Sequence, residues 1–182
     1  MKSFEFLLPD RISKPRDSGL TMVLDKGLGL KNAESLMEIS GEYVDLLKFG
    51  WGTSILHDKD LIKDKVKMYQ SFNIKTFTGG TLFELACLNN KIDEVFEESK
   101  SIGFDAIEIS NGSIDMSEDD KLSFIKEAKH KGFFVLSEVG KKSITKDKSI
   151  SLDERIDSIK EEINAGSDLV IMEGRESGKS IG

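Results

Sequence analysis

The chain has 182 residues, 38% of them hydrophobic and 32% charged, with a net charge of -7. That length suits one domain with one sizeable core. The acidic balance excludes a broad nucleic-acid footprint, which needs a basic face, and no apolar stretch approaches the ~20 residues of a membrane span.

In chain order, residues 1–18 hold both prolines, Pro9 and Pro15, and read as an N-terminal extension with little regular structure. Met1–Asp10 is short and carries acidic residues, so it does not read as a signal peptide, and the cytoplasm is the default expectation. Residues 19–182 form the expected domain. Its strand candidates are Leu20–Leu24, Val44–Phe49, Ile74–Thr78, Ala106–Ile109, Phe133–Ser137 and Leu169–Met172. They recur at roughly 30-residue intervals, which suits a strand, a helix and a return in a parallel sheet.

The intervening segments carry helical stripes: Ile62, Val66 and Tyr69; Ile92, Val95, Phe96 and Ile102; Leu122, Ile125 and Ala128; Leu152, Ile156, Ile159 and Ile163. Ser151 with Glu154 makes a capping box, Ser117 with Asp120 a weaker start signal, and Gly103, Gly132 and Gly166 are stop signals. Cys87, the single cysteine, excludes an internal disulfide or a thiolate metal cluster. It reads as a small buried hydrophobe in the helix-like run Leu82–Leu88.

Six such units with right-handed crossovers leave an open doubly wound sheet or a TIM-type (β/α) barrel. The expected fold is the α/β barrel, read as truncated after about six strand–helix units with its C-terminal units missing, because the sequence stops one loop after its sixth strand.

In parallel α/β folds the working residues gather at the carboxyl ends of strands. Here those ends are polar. Alternation on the fourth strand turns Glu108 and Ser110 inward; the same parity groups Thr21, Val23 and Asp25, then Leu46 with Lys48, then Ile171 with Glu173 and Arg175. Charges of both signs converging on one rim must pair, bind a metal or meet a charged ligand. Several alternatives stay open on residues alone. Gly79-Gly80 either permits a tight turn with positive φ or, with Thr81, presents backbone N–H groups to an anion at a helix start. Glu108 is either half of an ion pair with Lys48 or a ligand. Asp25 is either a rim carboxylate or a cap for the helix region that follows. Trp51 reads as loop packing, and His57 and His130 as surface or helix-end residues.

Five stretches resemble the phosphosulfolactate synthase family, in family order: Lys48–Ser54, Gly79–Glu84, Glu108–Ile114, Ser137–Lys142 and Arg175–Gly178. The resemblance implies a TIM barrel, a lyase that adds sulfite to phosphoenolpyruvate, magnesium dependence, and a place in making sulfolactate compounds including coenzyme M. Small anionic substrates are then the partners, with no nucleic acid or membrane, and homo-oligomerisation is left open. Glu108, Glu138, Glu173 and Asp25 become candidate Mg²⁺ ligands or supporting carboxylates. Lys141 or Lys142 is the candidate general acid. Lys48, Arg175, Ser110 and the Gly79-Gly80-Thr81 turn are candidate substrate contacts. The rival reading is a non-catalytic heat-stress-associated barrel of the same family.

Overall fold

The computed structural model describes residues 3–173. All six expected strands form: β1 (Met22–Asp25), β2 (Leu46–Phe49), β3 (Lys75–Thr78), β4 (Ala106–Ile109), β5 (Phe134–Val139) and β6 (Leu169–Met172). Every ladder is parallel, in two three-stranded sheets ordered β1-β2-β3 and β4-β5-β6. The sheets adjoin where Thr76 N donates to Asp105 Oδ1 at 2.7 Å, tying the start of β3 to the start of β4. Among the described residues β1 and β6 are sheet edges, and no closed barrel forms.

The helices are α1 (Leu30–Ser40), α2 (Lys59–Ser71), α3 (Gly80–Leu88), α4 (Ile92–Ile102), α5 (Glu118–His130), α6 (Ile144–Lys148) and α7 (Leu152–Ala165). Their local signals work as side-chain chemistry dictates. Ser117 accepts from Asp120 N, and Ser151 with Glu154 completes a reciprocal capping box. Gly103 closes α4 at φ 104°, a conformation a Cβ would disfavour.

Strand parity builds three clusters. Leu46, Phe77, Ala106 and Leu136 are buried together, with Met22, Leu169 and Ile171 packed against them. All six strands thus turn one face to a shared interior. The opposite faces meet the helices. Leu47 and Phe49 pack with Ile62, Val66 and Tyr69 of α2. Ile107, Ile109 and Val135 pack with Phe96 of α4 and Ile125 and Ala128 of α5. Period-two alternation then sets Lys48, Glu108 and Glu138 on the interior parity, at the carboxyl ends beyond the apolar floor.

One device repeats at the opposite pole. Asp45, Asp105 and Asp168 each precede a strand and accept a backbone N–H from the neighbouring strand: Thr21 at 2.8 Å, Thr76 at 2.7 Å and Val135 at 2.8 Å. These bonds satisfy donors at the strand starts and help fix the register. The N-terminal extension, irregular apart from a 3-10 turn at Glu5–Leu7, is strapped to that pole. Arg11 donates to Tyr43 O at 3.1 Å, and Lys14 Nζ to Gly41 O at 2.8 Å and Phe72 O at 3.0 Å.

The α7 stripe departs from expectation. Leu152, Ile156 and Ile163 stay exposed, and the residue that α7 buries is Glu162. Glu162 turns inward to pair with Lys121 of α5, and of the expected stripe Ile159 is half-buried beside it.

Candidate active site

The carboxyl ends of the strands bring the functional side chains onto one rim. Lys48, at the end of β2, crosses the interior to Glu108 of β4, Nζ to Oε1 2.8 Å. Of the two alternatives for Glu108, the ion pair with Lys48 forms. Ser110, just beyond β4, donates from Oγ to Glu84 Oε1 at 2.6 Å. Glu84 also accepts from Ser113 N at 3.2 Å and from Lys142 Nζ at 3.5 Å. Glu138, on β5, shares a carboxyl–carboxyl hydrogen bond with Glu173, one residue beyond β6. The loops after β4 and β5 are joined by Lys142 N donating to Gly112 O at 3.0 Å.

The two adjacent lysines are directed differently. Lys141 Nζ donates to the backbone carbonyl of Asn111 at 2.9 Å. The Lys142 stem runs past Gly112 beside Glu138: a Cβ at Gly112 would meet Glu138 Oε1 at 3.2 Å and Lys142 Cε at 3.4 Å.

Gly79 and Gly80 are needed for space and not for backbone conformation. Gly79 has φ -66°, and neither glycine is in the left-handed region. The positive-φ expectation is therefore corrected. A Cβ at Gly79 would stand 2.9 Å from Lys48 Cε, and one at Gly80 would stand 2.2 Å from Ser110 Oγ and 2.7 Å from Glu108 Oε1. The first turn of α3 is thus pressed against the carboxylate cluster, where its dipole favours negative charge. Gly80→Ala is expected to displace Ser110 and Glu108, costing about 1–3 kcal/mol of stability as overpacking does. Thermal unfolding of the variant beside Thr81→Ala, at an exposed position, checks this.

Glu138 carries the unusual electrostatics. Burial, the Glu108 charge and the Glu173 hydrogen bond push its carboxyl up to about 8, against a smaller opposing effect of Lys48. The fold favours the neutral acid. This stability is full below the ordinary value of 4.5 and is lost as pH rises through about 8. Glu138→Gln lacks that loss. Without divalent metal, its melting temperature is expected to exceed the parent's by about 5 °C at alkaline pH, with the gap closing in acid. A melting series across pH reads this directly.

Glu108 Oε2 and Glu138 Oε1 are buried without a hydrogen-bond partner. Among the described residues, no three carboxylate, imidazole or thiol groups stand as a ready metal-ligand set. Two bare carboxylate oxygens beside a third carboxylate nevertheless match the oxygen preference of a hard divalent cation.

Asp25 does not join this rim. It faces the helix layer, where Lys65 Nζ reaches Oδ2 at 2.6 Å and Tyr69 OH donates to Oδ2 at 2.8 Å. Oδ1 accepts from Gly27 N and Leu28 N, both at 2.8 Å. Burial raises the Asp25 carboxyl, and the bonds from Lys65, the two amides and Tyr69 outweigh it, holding it below the ordinary value. Its lone pairs are engaged in fixing the β1–α1 loop. Arg175 lies outside the described residues. Trp51 is 63% exposed with Lys26 Nζ 4.6 Å from its ring centroid, so it is not packed in the loop as expected. Cys87 is half-buried, and burial pushes its thiol up, away from thiolate reactivity. Glu84 was not among the residues expected at the site. Its signal is that α3 reads Gly-Thr-Leu-Phe-Glu-Leu-Ala-Cys-Leu, with one charge in an otherwise uncharged helix.

The model of the (2R)-phospho-3-sulfolactate synthase (ComA) family matches residues 9–182. The chain belongs to the phosphosulfolactate synthase family. It is accordingly an enzyme of lyase type. It is 50% identical over 182 residues to the phosphosulfolactate synthase of Methanothermobacter thermautotrophicus, covering all of this chain and 70% of that one. Protein HEAT-STRESS-ASSOCIATED 32 of Arabidopsis thaliana is 30% identical over 135 residues, covering 72% of this chain and 47% of its own. The carboxyl transferase domain of Rhizobium etli pyruvate carboxylase superposes at a TM-score of 0.54 with 12% identity, covering 84% of this chain and 26% of that one. That likeness concerns the α/β fold alone. Among the described residues no helix is long and apolar enough to cross a membrane.

Proposed function

We propose that this rim binds phosphoenolpyruvate and sulfite and joins them into (2R)-2-phospho-3-sulfolactate, a step toward sulfolactate compounds such as coenzyme M. The observation that carries the reading is the meeting of Lys48 and Lys142 with the Glu84, Glu108 and Glu138 carboxylates at the strand ends of a chain from this family. Mixed charges at a common mouth suit a small, highly anionic substrate that brings its own countercharge requirement. We further infer that the six strands belong to a (β/α) barrel, an arrangement supported by the single interior cluster to which all six contribute.

In this reaction the sulfur lone pair of sulfite attacks C3 of phosphoenolpyruvate. The C3–S bond forms as the C2=C3 π bond breaks, and the electron pair is delocalised from C2 into the carboxylate. Lys48, at the cluster's edge, is set to hold that carboxylate through an ammonium hydrogen bond. Lys142 then transfers a proton from Nζ to C2 and recovers it from solvent. Glu108 Oε2 and Glu138 Oε1, with Glu173 beside them, are the oxygens that would hold Mg²⁺. When bound, the ion supplies positive charge next to the developing enediolate. Glu138 must surrender its proton to serve, so cation binding tightens as pH rises toward about 8.

The test is product formation from sulfite and phosphoenolpyruvate by the chain stripped with a chelator and then restored with Mg²⁺. The expected result is a phosphate-retaining sulfonate only after restoration. Turnover equal in both samples would remove the metal assignment, and absence of the sulfonate in both would remove the reaction.

A further inference from the structure

Glu84 is buried on α3, with its side chain only 4% exposed, and neither sequence motif nor strand parity assigns it a task. A carboxylate in that position is costly unless donors surround it. Three do, from two different loops. Ser110 Oγ at 2.6 Å and Ser113 N at 3.2 Å come from the segment after β4, and Lys142 Nζ at 3.5 Å comes from the segment after β5. Oε1 is shared between Ser110 and Lys142. The helix bearing Glu84 is itself fixed against the rim, because Gly80 at its start has no room for a side chain beside Ser110 and Glu108. Glu84 is therefore a rigid anchor, whereas Lys142 is a flexible four-carbon stem.

We propose that Glu84 is a positioning residue for Lys142, holding its ammonium over the rim so that its proton is aimed at the substrate carbon. This rests on the reading that Lys142 is the general acid. Glu84 itself touches no substrate. Its charge draws Nζ back from solvent, and its rigid mooring on α3 sets where the amine stands relative to Glu138 and Gly112. A misplacement of about 1 Å at a proton donor costs on the order of 10²-fold in turnover.

A double-mutant cycle on the full chain tests this, with Glu84→Gln, Lys142→Met and the pair. Glu84→Gln is expected to lower kcat by about 10–100-fold while KM stays within about threefold. In the Lys142→Met background the same replacement should change kcat by less than about twofold, because its effect runs through an amine no longer there. Glu84→Asp keeps the charge and should lose less than Glu84→Gln. An equal kcat loss in both backgrounds would assign Glu84 to loop support through Ser110 and Ser113, and overturn the proposal. An unchanged kcat, or equal losses in the Asp and Gln variants, would overturn it too. The ¹⁵N signal of the Lys142 amine provides a readout that does not need turnover. It should move in Glu84→Gln. Were the parent chain to make no sulfonate, the general-acid reading would fail by itself, and an amine signal unmoved in Glu84→Gln would separately remove the contact.

Discussion

Lys142→Ala is expected to lower kcat for sulfonate formation by about 10²–10⁴-fold, the usual worth of a positioned proton donor. Binding of phosphoenolpyruvate should weaken much less, since protonation follows carbon–sulfur bond formation. Lys141→Ala provides the contrast. Its Nζ is turned to the carbonyl of Asn111, so its removal loosens a loop without removing a proton donor, and a loss within about tenfold is expected. The family resemblance alone leaves the two lysines equivalent. What separates them is direction: Lys142 runs along Gly112 to Glu84 and past Glu138. Steady-state kinetics of both variants checks the assignment, and equal large losses in both would return it to ambiguity.

Lys121→Met is expected to be the most destabilising single change outside the rim. Lys121 Nζ pairs with Glu162 and donates to Glu138 O at 2.7 Å, with both side chains at most 2% exposed. Removing the lysine leaves the Glu162 carboxylate buried without its cation and frees the end of β5. Breaking a buried pair in this way costs about 3–5 kcal/mol. For a domain of this size the melting temperature should fall by roughly 10 °C. Lys121→Met with Glu162→Leu should recover most of the loss, because no uncompensated charge remains. Denaturant unfolding of the parent, the single and the double variant measures it. A double variant as unstable as the single one would show that the Glu138 carbonyl bond, and not the stranded carboxylate, dominates.

These buried charges mark where sequence reading succeeds and where it stops. The six strands and most helices were legible because their signals are local: β-branched runs, apolar stripes at helical spacing, and caps such as Ser151 with Glu154. α1 leaves a fainter trace, since it has no capping side-chain bond and buries only Ala33 and Met37. Strand parity put Lys48, Glu108 and Ser110 together, but Asp25 occupies the outward parity beside Val23, where α2 claims it. Parity groups residues along one strand without saying which group faces inward, and on β1 the apolar group with Leu20 and Met22 is the one that packs inside. Lys65 and Lys121 lie on the apolar stripes, Lys65 between Ile62 and Val66, and Lys121 four residues before Ile125. A charge on a buried stripe signals an internal partner, yet its identity is set by tertiary packing 37 to 41 residues away. Glu84 is the same case on α3.

The most direct test of the central claim is the reaction of the full chain with sulfite and phosphoenolpyruvate in D₂O with Mg²⁺, followed by ³¹P and ¹H NMR. Sulfite attack at C3 with proton delivery to C2 from an exchangeable lysine predicts a product that keeps its phosphate and carries one deuterium at C2. Release of inorganic phosphate, or a product with unlabelled C2, would contradict the account.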